Sequence, residues 1–116
     1  MKILIVDDNE SVRRLVASIV RPVAEEVREC AGGRGAVEAY RSQRPDVVLM
    51  DLHMKDADGI ATTKQLRIAD PAAKVVIVTD YDDEELRKAA LAAGACEYAL
   101  KENLPDLLRL LRNVTA

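Results

Sequence analysis

Apolar residues fall along this chain in two alternating patterns. Ile3–Val6, Val47–Met50 and Val75–Val78 are continuously apolar. Short runs rich in Val and Ile suit strands of a parallel sheet, buried on both faces. Glu26–Cys30 and Cys96–Leu100 instead interleave polar and apolar residues, as strands at the sheet's edges do. Between these runs the period changes to that of a helix. Val12, Leu15, Val16 and Ile19 form one stripe; Leu86, Ala89, Ala90 and Ala93 form another. Leu104, Leu107, Leu108 and Leu111 form a third, with Pro105 near the helix start, where proline is tolerated. Val37 and Tyr40 mark a helix over 34–42 that ends before Pro45. A weaker stripe over 60–68 is closed by Pro71, and Gly94 is the expected stop of the helix over 83–93.

The pattern reads β-α five times over, an α/β chain. Strict alternation implies a parallel sheet with right-handed crossovers. The fully apolar first, third and fourth strands belong in the centre and the mixed second and fifth at the edges. A single-domain, doubly wound (βα)5 fold of flavodoxin-like strand order 2-1-3-4-5 meets both conditions. The chain's 116 residues, 49% hydrophobic, suffice for one domain with one sheet-centred core, and the expected domain covers residues 1–116.

Charge narrows the function. Seventeen basic against twenty acidic residues give a net charge of -3 and a pI near 5.2. That balance argues against direct nucleic-acid binding, which needs a basic face. No stretch reads as a secretory signal or a membrane span. Cys30 and Cys96 fall on opposite sheet edges, too far apart to bridge, and two unpaired thiols fit a reducing, cytoplasmic setting.

In a sheet of this order, ligands bind beyond the carboxyl ends of the strands, at the switch point between strands one and three. Asp7 and Asp8 end strand one, Asp51 ends strand three, Thr79 ends strand four and Lys101 ends strand five. Each alone has an ordinary explanation. Asp7 or Asp8 could cap a helix, Thr79 suits a strand, and Lys101 suits a solvated surface. All five at strand ends together point to a site. Three close carboxylates repel by ~4 kcal/mol per pair at an effective dielectric near 20. A divalent cation relieves this, and an oxygen-only donor set with few protein ligands suits Mg²⁺. A cation and a lysine beside a third carboxylate also provide for phosphoryl transfer, which is mostly positioning and charge neutralisation.

With these residues in place, the chain closely resembles the receiver domain of bacterial two-component response regulators over essentially its whole length. The marks are the Asp7-Asp8 pair, Asp51 followed by Met54 and Asp58-Gly59, then Thr79, Tyr98 and Lys101. The resemblance implies that Asp51 accepts a phosphoryl group from a sensor histidine kinase or phosphotransfer protein. It implies Mg²⁺ held by Asp7, Asp8, Asp51 and the backbone carbonyl of His53. It implies that Lys101 pairs with phosphoryl oxygens, that Thr79 donates its hydroxyl to them, and that Tyr98 swings between outward and inward rotamers. On the residues alone, Tyr98 reads equally well as an amphipathic edge-strand residue with its hydroxyl in water. The implied role is a signalling phosphoacceptor that catalyses only its own phosphorylation and dephosphorylation. Phosphorylation would switch a surface for an output domain, a protein target or a second copy of the chain.

Three positions depart from the usual pattern: Lys55 and Glu102 stand where proline is common, and Asp80 where a small residue is common. Asp80 adds a carboxylate at the expected entrance, and Asp82 with Glu85 reads as a capping box for the next helix. Lys101-Glu102-Asn103 is similar to receivers of regulators with a helix-turn-helix output domain, so either a stand-alone receiver or part of a longer regulator is expected.

Two other functions share the fold. A flavodoxin-like flavin carrier needs a loop after strand one that cradles phosphate; Asp7-Asp8-Asn9-Glu10 would repel it, and the chain has no Trp or Phe to stack on a flavin. A Mg²⁺-dependent aspartyl phosphohydrolase commonly has a second Asp two residues after the nucleophile; here that residue is His53.

Overall fold

The computed structural model describes residues 1–115. Its elements alternate as β1 (Lys2–Val6), α1 (Glu10–Val20), β2 (Glu26–Cys30), α2 (Ala36–Gln43), β3 (Val47–Met50), α3 (Gly59–Ala69), β4 (Val75–Thr79), α4 (Glu84–Ala92), β5 (Glu97–Leu100) and α5 (Leu107–Thr115). The strands form one parallel sheet in the order β2-β1-β3-β4-β5. The order expected from the burial pattern is the order found.

The continuous apolar runs are explained by two cores, one on each face. Ile3, Ile5, Val47, Leu49, Val76 and Val78 face α1 and α5. Leu4, Val6, Val48, Met50, Val75 and Ile77 face α2, α3 and α4. Successive side chains of a strand point to opposite faces, so a strand covered on both sides has no polar position to spare. β2 keeps exposed and half-buried residues, as an edge does.

Several helix details correct the sequence reading. In α1 the buried residues are Val16, Ala17 and Val20, while Leu15 is 51% exposed. Val20 lies about one helical turn beyond Val16 and draws the buried face toward Ala17, away from Leu15. Ala89 is exposed in α4, with Ala90 buried. α5 starts at Leu107, later than expected, because Lys101–Asp106 forms a 3-10 segment containing Pro105. Leu104 is still buried from that segment, and Leu110 completes the α5 stripe while Leu108 is half-buried. The cap of α4 is Asp83, whose carboxylate accepts from the Glu85 and Leu86 N–H groups, in place of the expected Asp82 box. α2 begins at Ala36 after a 3-10 turn at Gly33–Gly35, and ends on Arg44 in the left-handed region at φ 52°. The residue before a proline is disfavoured from continuing a right-handed helix. Cys30 and Cys96 are both free, at opposite edges of the sheet. No helix among the described residues is long and apolar enough to cross a membrane.

Candidate functional site

The ladder between β1 and β3 sets the site. Val6 pairs with Met50, and the Asp51 N–H donates to the Val6 carbonyl at 2.9 Å. Asp7 and Asp51 therefore leave adjacent strands side by side. Thr79 pairs with Leu100 across β4 and β5, which puts Lys101 one residue beyond that level. On the far side of Asp51 the start of α3 comes close. A Cβ on Gly59 would lie 2.0 Å from the Asp51 carbonyl oxygen, so only glycine fits there. Asp58 caps that helix by accepting from the Ile60 N–H.

Asp7, Asp8 and Asp51 each offer a carboxylate oxygen within 4.8 Å of the others. Asp7 is 4% exposed and Asp51 7%, while Asp8 is half-buried. The Lys101 ammonium enters between two of them, 3.0 Å from Asp51 Oδ1 and 3.1 Å from Asp7 Oδ2. One cation thus faces three carboxylates. Burial raises the pKa of Asp51; Lys101's hydrogen bond opposes this, and the charges of Asp7 and Asp8 reinforce it. Burial alone would lower the Lys101 pKa, but its hydrogen bonds and charge pairing with Asp51 and Asp7 outweigh that and raise it. The hard, oxygen-only donor set and its excess negative charge fit a divalent cation such as Mg²⁺.

Thr79 and Tyr98 belong to a second, adjoining network. Thr79 is 1% exposed, and its Oγ1 accepts from the Tyr81 N–H at 3.2 Å. Tyr98 is half-buried and donates its hydroxyl to the Tyr81 carbonyl at 2.6 Å. Its hydroxyl is therefore held by protein, not left in water. Among the described residues no hydrogen bond joins Thr79 to Asp51 or Lys101. His53 is exposed, as expected for a loop residue, and its ring stacks on Tyr81 with centroids 4.4 Å apart.

The sequence reading missed Tyr81 and Arg13. Arg13 donates to the Asp7 carbonyl at 2.8 Å and pairs with Glu29 at 3.1 Å, tying α1 and β2 to the end of β1. No periodic signal marks either residue; Arg13 sits one place from the apolar stripe and reads as a solvated arginine. Asp80 is exposed beside the site.

Comparison with known proteins agrees with this fold. A family model for the response regulator receiver domain matches residues 3–112. The chemotaxis protein CheY of Halobacterium salinarum is 37% identical over 100 residues, covering 86% of this chain and 83% of that protein. The regulatory protein AtoC of Escherichia coli is 36% identical over 110 residues, covering 95% of this chain but only 24% of AtoC. The crystal structure of Vibrio cholerae CheY4 superposes with a TM-score of 0.89 at 28% identity, covering 97% of each chain. The match runs through the whole sheet and both cores, and it includes every strand end at which the carboxylates and the lysine meet. The chain belongs to the response regulator receiver domain family, a signalling family whose members bind Mg²⁺ through acidic residues and exchange phosphoryl groups with a kinase or phosphotransfer partner.

Proposed function

We propose that this domain accepts a phosphoryl group on Asp51 from the phosphohistidine of a sensor kinase or phosphotransfer protein, in a Mg²⁺-dependent reaction. The carrying observation is the convergence of Asp7, Asp8 and Asp51 on one another with a single ammonium, Lys101, between them. Asp7, Asp8, Asp51 and the His53 carbonyl would hold the Mg²⁺, which neutralises phosphoryl charge when bound.

A carboxylate oxygen of Asp51 attacks the phosphorus. The new P–O bond forms as the P–N bond to the donor imidazole breaks, and the imidazole leaves carrying the electron pair. Lys101, already aimed at Asp51, pairs with the phosphoryl oxygens. Thr79 accepts from Tyr81 through its oxygen, so its own hydroxyl proton is available to donate to the phosphoryl group. Drawing Thr79 inward pulls on Tyr81 and hence on Tyr98, which connects the site to β5 and α4. Within α4 only Ala90 is buried, so this helix is thinly packed and suited to moving. Water attack on the acyl phosphate returns the aspartate and inorganic phosphate. The proposed setting is cytoplasmic, and the switched surface would serve an output domain, a protein target or a second copy.

Incubation with a small phosphodonor and Mg²⁺ is expected to add one phosphoryl mass to the intact chain, lost again on standing. Hydrogen exchange of α4 is expected to rise in that sample. Asp51→Asn that still gains the mass, or a gain unaffected by chelating Mg²⁺, would refute the proposal.

A further inference from the structure

Only Asp7, Asp8 and Asn9 separate β1 from α1, and two of these residues offer carboxylates to the cluster. Asp7 and Asp8 share one peptide unit. The carbonyl oxygen of that unit accepts from Arg13 Nη1 at 2.8 Å, a bond that folds back six residues from the first turn of α1. On the same residue, the Asp7 N–H donates to the Cys30 carbonyl at 3.1 Å, and Asp7 Oδ1 accepts from the Asn9 N–H at 2.9 Å. The guanidinium is itself held. Its Nε donates to Glu29 Oε1 at 3.1 Å, on the edge strand β2, and the Arg13 side chain is only 14% exposed. One planar fork therefore reaches partners on two different strands. Glu29 balances its charge, so the pair brings no net charge to the carboxylates.

We propose that Arg13 is a positioning residue for the metal site, acting on the Asp7–Asp8 peptide and braced by Glu29; this rests on the Mg²⁺ reading above. A planar peptide moves as one body, so holding its carbonyl restrains ψ of Asp7 and φ of Asp8 together. Those torsions set the angle between the two side chains, whose oxygens lie within 4.8 Å of each other and of one on Asp51. Mg²⁺ demands near-ideal octahedral geometry, whereas Ca²⁺ accepts a larger and looser shell of oxygens. A residue that fixes ligand angles therefore matters more for Mg²⁺ than for Ca²⁺. A lysine does not replace it, because an ammonium lacks the fork that spans the Asp7 carbonyl and Glu29 at once. A strut that only held α1 against β2 would change stability and leave the preference between the two ions as it was.

Mg²⁺ and Ca²⁺ titrations of the full chain by calorimetry test this. Arg13→Ala is expected to raise the Mg²⁺ dissociation constant by about tenfold and the Ca²⁺ constant by less than about threefold. Glu29→Gln keeps an oxygen for the Arg13 Nε–H and is expected to bind Mg²⁺ within about threefold of wild type. Gln43→Leu, at the far end of the sheet, controls for lost stability and is expected to leave both constants unchanged. If Arg13→Ala loses cooperative unfolding, Arg13→Lys takes its place with the same unequal loss expected. Wild-type Mg²⁺ affinity in the folded Arg13 variant, or equal weakening of both ions, overturns the proposal and leaves the Mg²⁺ site standing. So does a loss in Glu29→Gln or Gln43→Leu as large as that in Arg13→Ala, since the bond to the Asp7 carbonyl would not then be its cause. A wild-type chain that takes up no Mg²⁺ overturns the metal reading itself.

Discussion

The two ends of the same sheet treat polar groups in opposite ways. At the amino ends of the strands, three polar side chains pair with other groups of the chain. Gln43 Nε2 donates to the Ile3 carbonyl, Tyr40 donates to Asp70, and Asp46 accepts from the Lys2 N–H. At the carboxyl ends, two buried carboxylates pair with one ammonium, and a half-buried third stands beside them. The first end is met by the chain itself except at the Gln43 Oε1, and among the described residues it carries no uncompensated charge cluster. The second carries negative charge that the chain leaves uncompensated. Removing a polar group should therefore cost stability at the amino end and function at the carboxyl end.

The largest expected effect comes from supplying the missing charge. Mg²⁺ at 100 times its dissociation constant should stabilise the wild type by about 2.7 kcal/mol, from binding linkage alone. Asp7→Asn should lose most of that gain at the same concentration. Urea unfolding with and without Mg²⁺ reads both, and equal gains in the two chains would break the comparison. A smaller effect is expected at the other end. Gln43→Leu should cost about 1 kcal/mol through the lost bond to Ile3 and leave Mg²⁺ affinity unchanged. Gln43 is 4% exposed and its Oε1 has no hydrogen-bond partner, so part of the loss is offset by removing that orphaned oxygen.

The smallest effect sharpens the comparison through pH. The Tyr40 hydroxyl is pushed up to about 12 by burial and by its bond to Asp70, whose own pKa is lowered mainly by accepting from Tyr40. A raised phenol contributes stability that is full below its unfolded value near 10. That contribution is lost as pH rises through about 12. A lowered carboxyl contributes stability present above its unfolded value and lost as pH falls through its folded one. Tyr40→Phe should flatten the pH dependence of stability in both windows, with no change near neutrality in the response to Mg²⁺. Parallel curves for wild type and Tyr40→Phe would show that the pair contributes nothing.

Much of this was legible in the sequence. Fully apolar strands announce burial on both faces, and that fixed which strands are central. Strand order then brought Asp7, Asp8, Asp51 and Lys101 together, because each lies within two residues of a strand's carboxyl end and parallel ladders align strand ends. Helix faces were less legible. The expected and observed faces of α1 differ by one residue, Leu15 and Val16 against Val16 and Ala17, and small alanines carry too little contrast to decide it. Asp82 and Asp83 are neighbours of the same type, so capping rules could not choose between them. The bond from the Lys55 N–H to the Asp8 carboxylate showed in the sequence only as a departure, since Lys55 stands where proline, which has no N–H, is common. The stack of His53 on Tyr81 joins two loops with no shared periodicity, and only the fold shows it.

The comparison rests on Asp51 being a group whose ionised form opposes folding. Its pKa is raised by burial first, despite Lys101, with Asp7 and Asp8 adding to the shift. A raised carboxyl contributes stability that is full below the unfolded value and lost as pH rises through the folded one. At neutral pH the charge is therefore a net cost, which Asp51→Asn removes. The urea midpoint of wild type and Asp51→Asn at neutral pH, without divalent metal, measures this directly. A higher midpoint is expected for Asp51→Asn at an unchanged denaturant slope. A lower midpoint would show that the Lys101–Asp51 pair stabilises the fold and that the carboxyl end is as self-satisfied as the amino end.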